Sequence, residues 1–293
     1  MNKIALALIL LILPFSLAYT SPRKKVGIVL SGGGAKGVAH IGVIKALEEL
    51  NIPIDYIAGT SIGAIIGGLY SIGYTSEQLE TIVKQTDWIN LLTDKVSREK
   101  IPFPFKSNDS KYLVSFPFNN SKKNGGIIKG KNISQLLHQL TEGYQNVTNF
   151  DSLPIPFACI ATDMARNQKE VIRFGKLSEA MRASMAVPIV FSPIYSGQKV
   201  LIDGGFKDNL PIDVVKAMGA DIIIGIDVQS ELSDADNLHS IAGIANQLML
   251  MICQSSLDGS TKDIDAYVKV DVENYNACLL YTSPSPRDTE RYR

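Results

Sequence analysis

Short, continuously apolar segments alternate with segments of helical spacing from residue 24 to residue 230, and this rhythm constrains the fold more than any other feature of the sequence. Lys25–Leu30 (KVGIVL), Ile54–Ala58 (IDYIA), Ile155–Ala161 (IPFACIA) and Ile222–Val228 (IIIGIDV) read as strands. A strand with one wet face alternates apolar and polar residues. One that is apolar throughout is covered on both faces, as in a parallel sheet held between helical layers. Glu170–Phe174, Val200–Asp203 and Ala266–Val272 read as further strands. Val38–Leu50, Ile62–Ile72, Ser178–Met185 and Pro211–Met218 read as helices, the last with Pro in its first turn and Gly219 after its end. Thr75, three residues before Gln78, opens another helix with a capping box. The expected fold class is α/β, a three-layer α/β/α domain over residues 24–272 with a mainly parallel central sheet. No internal repeat is present.

Lys+Arg and Asp+Glu both number 29, so the formal net charge is zero, with 45% hydrophobic and 20% charged residues. That balance excludes intrinsic disorder and leaves no basic excess to bind nucleic acid through its phosphates. Three cysteines make no disulfide scaffold; Cys159 and Cys253 lie in apolar segments and read as buried thiols. Three scattered histidines and no Cys-x-x-Cys give no metal-ligand spacing.

The two ends stand apart from the domain. Residues 1–18 carry Lys3, an unbroken apolar run from Ile4 to Leu13, Pro14, and small residues at Ser16 and Ala18. This is the pattern of a cleaved signal peptide, and the run is short for a membrane span. Cys278–Arg293 (CLLYTSPSPRDTERYR) changes abruptly to Ser, Pro and Arg. It resembles a translated sequencing-library adapter and reads as a non-native tail, which puts the natural sequence only up to about Ala277. Between the ends, Ser97–Lys131 breaks the α/β rhythm with Ile-Pro-Phe-Pro-Phe at 101–105 and Ser-Phe-Pro-Phe at 115–118. An irregular hairpin packing its aromatics on the core is the expectation; the sharper alternative is a flap that touches lipid.

Three motifs carry chemistry. The first is Ser31-Gly32-Gly33-Gly34-Ala35-Lys36-Gly37, between a strand and a helix. Its unobstructed N–H groups at a helix start can bind an anion, either a pyrophosphate or a transient oxyanion. Gly32, Gly34 and Gly37 fit G-x-G-x-x-G, with Asp55 about where a ribose-binding acid would stand. A simple tight turn also fits. The second is Gly59-Thr60-Ser61-Ile62-Gly63, after a strand and opening a helix, the setting of a nucleophile elbow. Gly67 and Gly68, further along, read as packing positions. The third is Asp203-Gly204-Gly205 at a strand end. Its carboxylate can point across the same sheet edge, although an Asx-turn explains Asp-Gly equally well.

Taken in order, Gly-Gly-Gly-x-Lys-Gly, Gly-x-Ser-x-Gly and Asp-Gly-Gly, with Ala183–Pro188 and Phe191-Ser192-Pro193 between, resemble the patatin-like phospholipases over about Lys24–Val228. The resemblance implies a Ser–Asp dyad that cleaves lipid acyl esters, with no cofactor and no metal. Ser61 matches the nucleophile, Asp203 the base, and the amides of Gly32, Gly33 and Gly34 the oxyanion hole. Gly37, Gly59, Gly63, Gly204 and Gly205 support the motifs, and Lys36 could hold a phosphate head group. Ser31 stands where many relatives carry Asp. The chemistry is coherent, because a serine hydroxyl is a weak nucleophile until a base takes its proton. A carboxylate can be that base when a poorly solvated pocket raises its pKa. A lipid or phospholipid substrate and a membrane surface are the implied partners. The exported start and the ending Asp265-Ala266-Tyr267-Val268-Lys269-Val270-Asp271 also resemble exported family members that continue into an outer-membrane β-barrel. The expected location is the periplasm or outer membrane of a Gram-negative bacterium, or the medium.

Three rivals remain open. Ser61, Asp203 and His239 stand in the chain order of an α/β-hydrolase triad; His239 lies in a polar stretch, while His40 and His138 sit on expected helices. A dinucleotide-binding oxidoreductase would use the first motif and Asp55 but leaves Ser61 and Asp203 idle. A non-catalytic scaffold would use none of them.

Overall fold

A computed structural model describes residues 23–94, 126–232, 234, 238–239, 241–255 and 263–272. The expected signal peptide, residues 97–125 of the aromatic segment and the 278–293 tail lie outside the described residues. The strands are β1 (Val26–Leu30), β2 (Tyr56–Thr60), β3 (Gly126–Ile128), β4 (Phe157–Asp163), β5 (Gln168–Ile172), β6 (Ile189–Phe191), β7 (Ile194–Ser196), β8 (Lys199–Asp203), β9 (Ile222–Asp227) and β10 (Ala266–Lys269). The helices are α1 (Ala39–Glu49), α2 (Ile62–Ser71), α3 (Ser76–Gln85), α4 (Trp88–Thr93), α5 (Lys131–Leu140), α6 (Leu177–Ser184), α7 (Ile212–Met218) and α8 (Ile241–Ser255).

The main sheet runs β10-β9-β1-β2-β4-β8-β7, with β5 also paired to β4. From β10 to β4 every pairing is parallel. Successive residues of these strands enter two separate cores, as period-2 geometry requires. Ile28, Leu30, Ile57, Phe157, Ile224 and Ile226 pack under α1, α2, α5 and α6. Val29, Ala58, Ala158, Ile160 and Ile223 pack under α7. These are the three α/β/α layers expected from strands that are apolar on both faces. β5, β8 and β7 extend the sheet in antiparallel fashion. The short β3 pairs with β6 in a separate parallel ribbon, which is where the described end of the aromatic segment goes. Thr75 caps α3 with the expected reciprocal bonds to Gln78. Among the described residues no helix is long and apolar enough to cross a membrane.

Register in the middle of the sheet positions everything that follows. β4 carries β5 along one edge, opposite Cys159 to Asp163. Its other edge is shared. β2 occupies the first part, with Thr60 opposite Ile160. β8 occupies the remainder and runs the other way, with Asp203 opposite Ala161. Two strands therefore meet head to head along one edge of β4, their C-terminal ends one rung apart, about 3.3 Å along the strand axis. Thr60 ends one of them and Asp203 the other, and Ser61 is the next residue after Thr60.

Candidate active site

Ser61 lies at the turn from β2 into α2, with φ 55° and ψ −121°. A non-glycine residue rarely adopts this conformation, and such strain concentrates at functional turns. The surroundings enforce it. A Cβ on Gly59 would sit 2.4 Å from the Gly63 carbonyl oxygen, and one on Gly63 would sit 2.3 Å from that of Leu30. Both glycines of Gly-x-Ser-x-Gly are thus required by close backbone approach. The Ser61 N–H donates to Ser184 Oγ (2.9 Å), whose hydroxyl donates in turn to the Ile160 carbonyl. Ser184, at the end of α6, thereby ties the elbow to β4; a Ser inside a short helix gives no sequence signal for that role.

The glycine loop lies against this serine. A Cβ on Gly32 would sit 3.2 Å from Ser61 Cβ and 2.5 Å from Asn209 Oδ1. Gly33 precedes a short 3-10 turn, Gly34–Val38, and Gly34 adopts φ 56°. The N–H groups at the head of such a turn have no partner within it. The Gly32 amide differs, since it donates to the Asn209 carbonyl (3.3 Å). Of the expected oxyanion set of Gly32, Gly33 and Gly34, the Gly32 amide is thus engaged in anchoring the loop. Gly37 lets the turn close on α2, because a Cβ there would fall 1.9 Å from an Ile62 methyl. Lys36 is half-buried and makes no ion pair among the described residues. Ser31 accepts the Val228 N–H on its hydroxyl (3.0 Å), and its carbonyl accepts from His40 Nε2 (2.8 Å). His40 is fully buried, and that burial lowers its pKa to about 4, leaving a neutral structural imidazole.

Asp203 is 1% exposed. Its Oδ1 accepts the Gly205 N–H (2.8 Å) in an Asx-turn, while Oδ2 is buried with no hydrogen bond among the described residues. Burial pushes its pKa up to about 6; the Ser61 hydroxyl and the Gly205 amide oppose that rise. The hydroxyl is thus near enough to act on the carboxylate without closing a full hydrogen bond on Oδ2. Loose contacts of this kind are common before substrate binds. Gly204 is needed because a Cβ would meet the Ile160 carbonyl at 2.3 Å. Gly205 leaves room for Asn209 Oδ1 and for Cys253 Sγ from α8. Cys159 and Cys253 are buried and form no disulfide among the described residues.

Asn209 escaped the sequence reading. It is buried, accepts the Gly32 amide on its carbonyl, donates from Nδ2 to the Gly32 carbonyl (3.4 Å) and borders Gly205. It joins the glycine loop to the carboxylate turn. An Asn just after an Asp-Gly-Gly turn looks like one more turn residue, and nothing local marks a contact 177 positions away.

The rival assignments are not brought together. Asp55 precedes β2 at the opposite end of the sheet from the glycine loop. It is paired there with Arg23 (2.6 Å) and the Val26 N–H (2.8 Å). A ribose-binding acid belongs at the C-terminal edge of the strands. His239 is exposed in a bend before α8, and among the described residues no hydrogen bond joins it to Ser61 or Asp203. His138 is exposed on α5, 3.4 Å from Gln145 Nε2.

A three-layer α/β/α sheet with an elbow serine and a buried carboxylate at adjoining strand ends defines the class. The family model for patatin-like phospholipases matches residues 28–216, and the chain belongs to that family. Lysophospholipase nte1 of Emericella nidulans is 34% identical over 207 residues, 71% of this chain and 12% of that protein. Lysophospholipase NTE1 of Mycosarcoma maydis is 34% identical over 205 residues, 70% of this chain and 10% of its own. The chain thus spans no more than 12% of the length of these two relatives. Among solved structures, VipD from Legionella pneumophila is similar at TM-score 0.49 and 17% identity, covering 92% of this chain and 64% of that one. ExoU from Pseudomonas aeruginosa is similar at TM-score 0.36 and 16% identity, covering 82% and 53%.

Proposed function

We propose that the protein is a lipid acyl hydrolase, a phospholipase A-type esterase working through a Ser61–Asp203 dyad. The observation that supports the reading is the head-to-head meeting of β2 and β8 on one edge of β4, at whose adjoining ends stand a strained serine and a buried carboxylate with one oxygen that has no hydrogen bond among the described residues. Asp203, ionised above its raised pKa, accepts the Ser61 proton as Oγ attacks the ester carbonyl. Charge develops on the carbonyl oxygen, and the Gly33 and Gly34 amides stabilise it, each such donor contributing about 3 kcal/mol. Protonated Asp203 then hands the proton to the departing alcohol oxygen, leaving the acyl group on Ser61. Water enters, gives a proton to Asp203 and attacks the acyl carbon. The fatty acid leaves, and Ser61 recovers its proton.

Family membership supports an ester of a lipid as substrate, and the names of the fungal relatives support a lysophospholipid. The leader read at residues 1–18 goes with export of this activity. The test is hydrolysis of lysophosphatidylcholine by the full chain, with labelling by a fluorophosphonate probe. Fatty acid release together with an adduct on Ser61, both absent in Ser61→Ala, is expected. Release that persists in Ser61→Ala would overturn the assignment.

A further inference from the structure

α8 has no place in the chemistry just described, yet its surface is unusual. Its fifteen residues include no Asp, Glu, Lys or Arg. Its buried edge is Cys253, which packs on Gly205 in the Asp203 turn. Ile244, Leu248, Met251 and Ile252 are 48%, 54%, 51% and 38% exposed. At the helical repeat these four fall in one arc of about 100°, on the side away from Cys253. The outward stripe of a helix in water is ordinarily polar. Here it is Ile, Leu, Met and Ile, and a contiguous exposed apolar stripe marks a surface that meets something apolar.

A second exposed apolar pair flanks the same carboxylate. The Asp203 N–H donates to the Ala186 carbonyl (2.9 Å). Three residues beyond Ala186, Ile189 and Val190 stand exposed, Ile189 with φ 72°, which a β-branched residue strongly disfavours. Asp203 is thus tied to two outward apolar features, through Gly205 and Cys253 to α8 and through Ala186 to β6. Protein partners ordinarily offer hydrogen-bond anchors and a polar rim. An uncharged helix face with bulky aliphatic residues, next to a buried ester-cleaving site, fits the boundary between head groups and acyl chains.

We infer that α8 and the Ile189–Val190 edge form the surface by which this protein seats on a lipid bilayer, with α8 lying in the plane of the interface. The inference rests on the acyl-hydrolase reading, since the nearby ester site is what makes a bilayer the fitting occupant. A helix is about 10 Å thick. Seating on α8 would therefore hold the Asp203 turn about one helix diameter above the acyl boundary, and a lipid would rise that far to reach Ser61.

The test uses the full chain carrying Ser61→Ala, so that binding is read without turnover, and sedimentation with phosphatidylcholine vesicles. The Ser61→Ala protein is expected to co-sediment, and adding Leu248→Asp with Met251→Asp should weaken binding about tenfold or more. Equal binding of the two proteins overturns the inference. Leu248→Trp keeps the face apolar and gives an independent reading: its emission should shift to the blue on adding vesicles, and an unshifted spectrum overturns the inference. If the Asp pair instead abolishes self-association and leaves vesicle binding as it was, the face belongs to a second copy of the chain and the inference falls. Failure of the two readings is distinguishable. Vesicle binding through this face without lipid hydrolysis by the intact protein sinks the hydrolase reading alone. Lipid hydrolysis with binding indifferent to the Asp pair sinks the docking surface alone.

Discussion

Asp203 and Asp227 are built alike and behave in opposite ways. Each ends a strand of the central sheet, each is 1% exposed, and each accepts the N–H two residues on, from Gly205 (2.8 Å) and Gln229 (2.9 Å). They differ at the second oxygen. Asp227 Oδ2 receives the Lys269 ammonium (2.9 Å) and the Tyr267 hydroxyl (2.7 Å). Asp203 Oδ2 receives no hydrogen bond among the described residues. Burial pushes both carboxyls upward, but Lys269 and Tyr267 carry Asp227 below the usual carboxylate value, while Asp203 rises to about 6. The Asx-turn is therefore common to both; the cation is what separates them. A buried carboxylate with a cation is pinned as an anion, whereas one without is free to take up a proton.

The sharpest way to break this contrast is to change each carboxylate in turn. Asp203→Asn should lower kcat/KM for a lipid ester by about a thousandfold or more, because the amide cannot accept the serine proton. Asp227→Asn should retain most activity per folded molecule. Comparable losses in both would mean that the missing cation does not distinguish them. The second experiment reads stability. Asp227→Ala leaves the Tyr267 hydroxyl and Lys269 without their shared acceptor, and Lys269 is partly exposed, so solvent screens part of the loss. A fall of about 2 kcal/mol is expected in denaturant unfolding at pH 7. The sign with pH follows from the lowered pKa: the stabilisation is present above the unfolded value near 3.8 and fades as pH falls through the folded one. The gap between parent and Asp227→Ala should narrow in acid. Asp203 has the opposite sign, its effect on stability being most favourable below 3.8 and lost as pH rises through about 6. A gap that widens in acid for Asp227→Ala would contradict the assignment.

Why these two residues could not be told apart in the sequence is instructive. β1, β2, β4 and β9 were legible because they are apolar on both faces, and Ser61 was legible because strand, Gly-x-Ser-x-Gly and helix follow one another. Direction was not. Lys199–Asp203 has the same residues whether it runs with β4 or against it, and the antiparallel register alone sets Asp203 beside Ser61. The cation that separates the two carboxylates comes from β10, 42 positions beyond Asp227. α8 was hidden for another reason: its outward face is as apolar as its inward one, so no amphipathic stripe announces a helix of fixed orientation. Motifs confined to one turn are readable, whereas the groups that tune them arrive from other strands.

The pH dependence of catalysis sharpens the contrast at smaller amplitude. If Asp203 is the base, kcat/KM should rise about tenfold per pH unit below an inflection near 6 and level off above it. An ordinary carboxylate would place that inflection near 3.8. A rate profile on a soluble ester, with stability checked at each pH, separates the two. An inflection near 4 would indicate that water or a cation reaches Oδ2 during turnover and that the buried, unpartnered state is not the reacting one.

The smallest expected effect tests the remaining alternative. In a Ser-His-Asp triad the carboxylate orients a histidine and the histidine takes the serine proton, so loss of the histidine alone removes most of the rate. His239 is exposed on its bend, with no bond to Asp203 among the described residues, and Asp203 already stands beside Ser61 with no ring between them. His239→Ala should therefore change kcat/KM by less than about twofold, the range of a surface substitution. A loss of a hundredfold or more would require the bend before α8 to swing inward on substrate binding. Asp203 would then serve to orient the imidazole, and its raised pKa would report an empty resting state rather than a base ready to accept a proton.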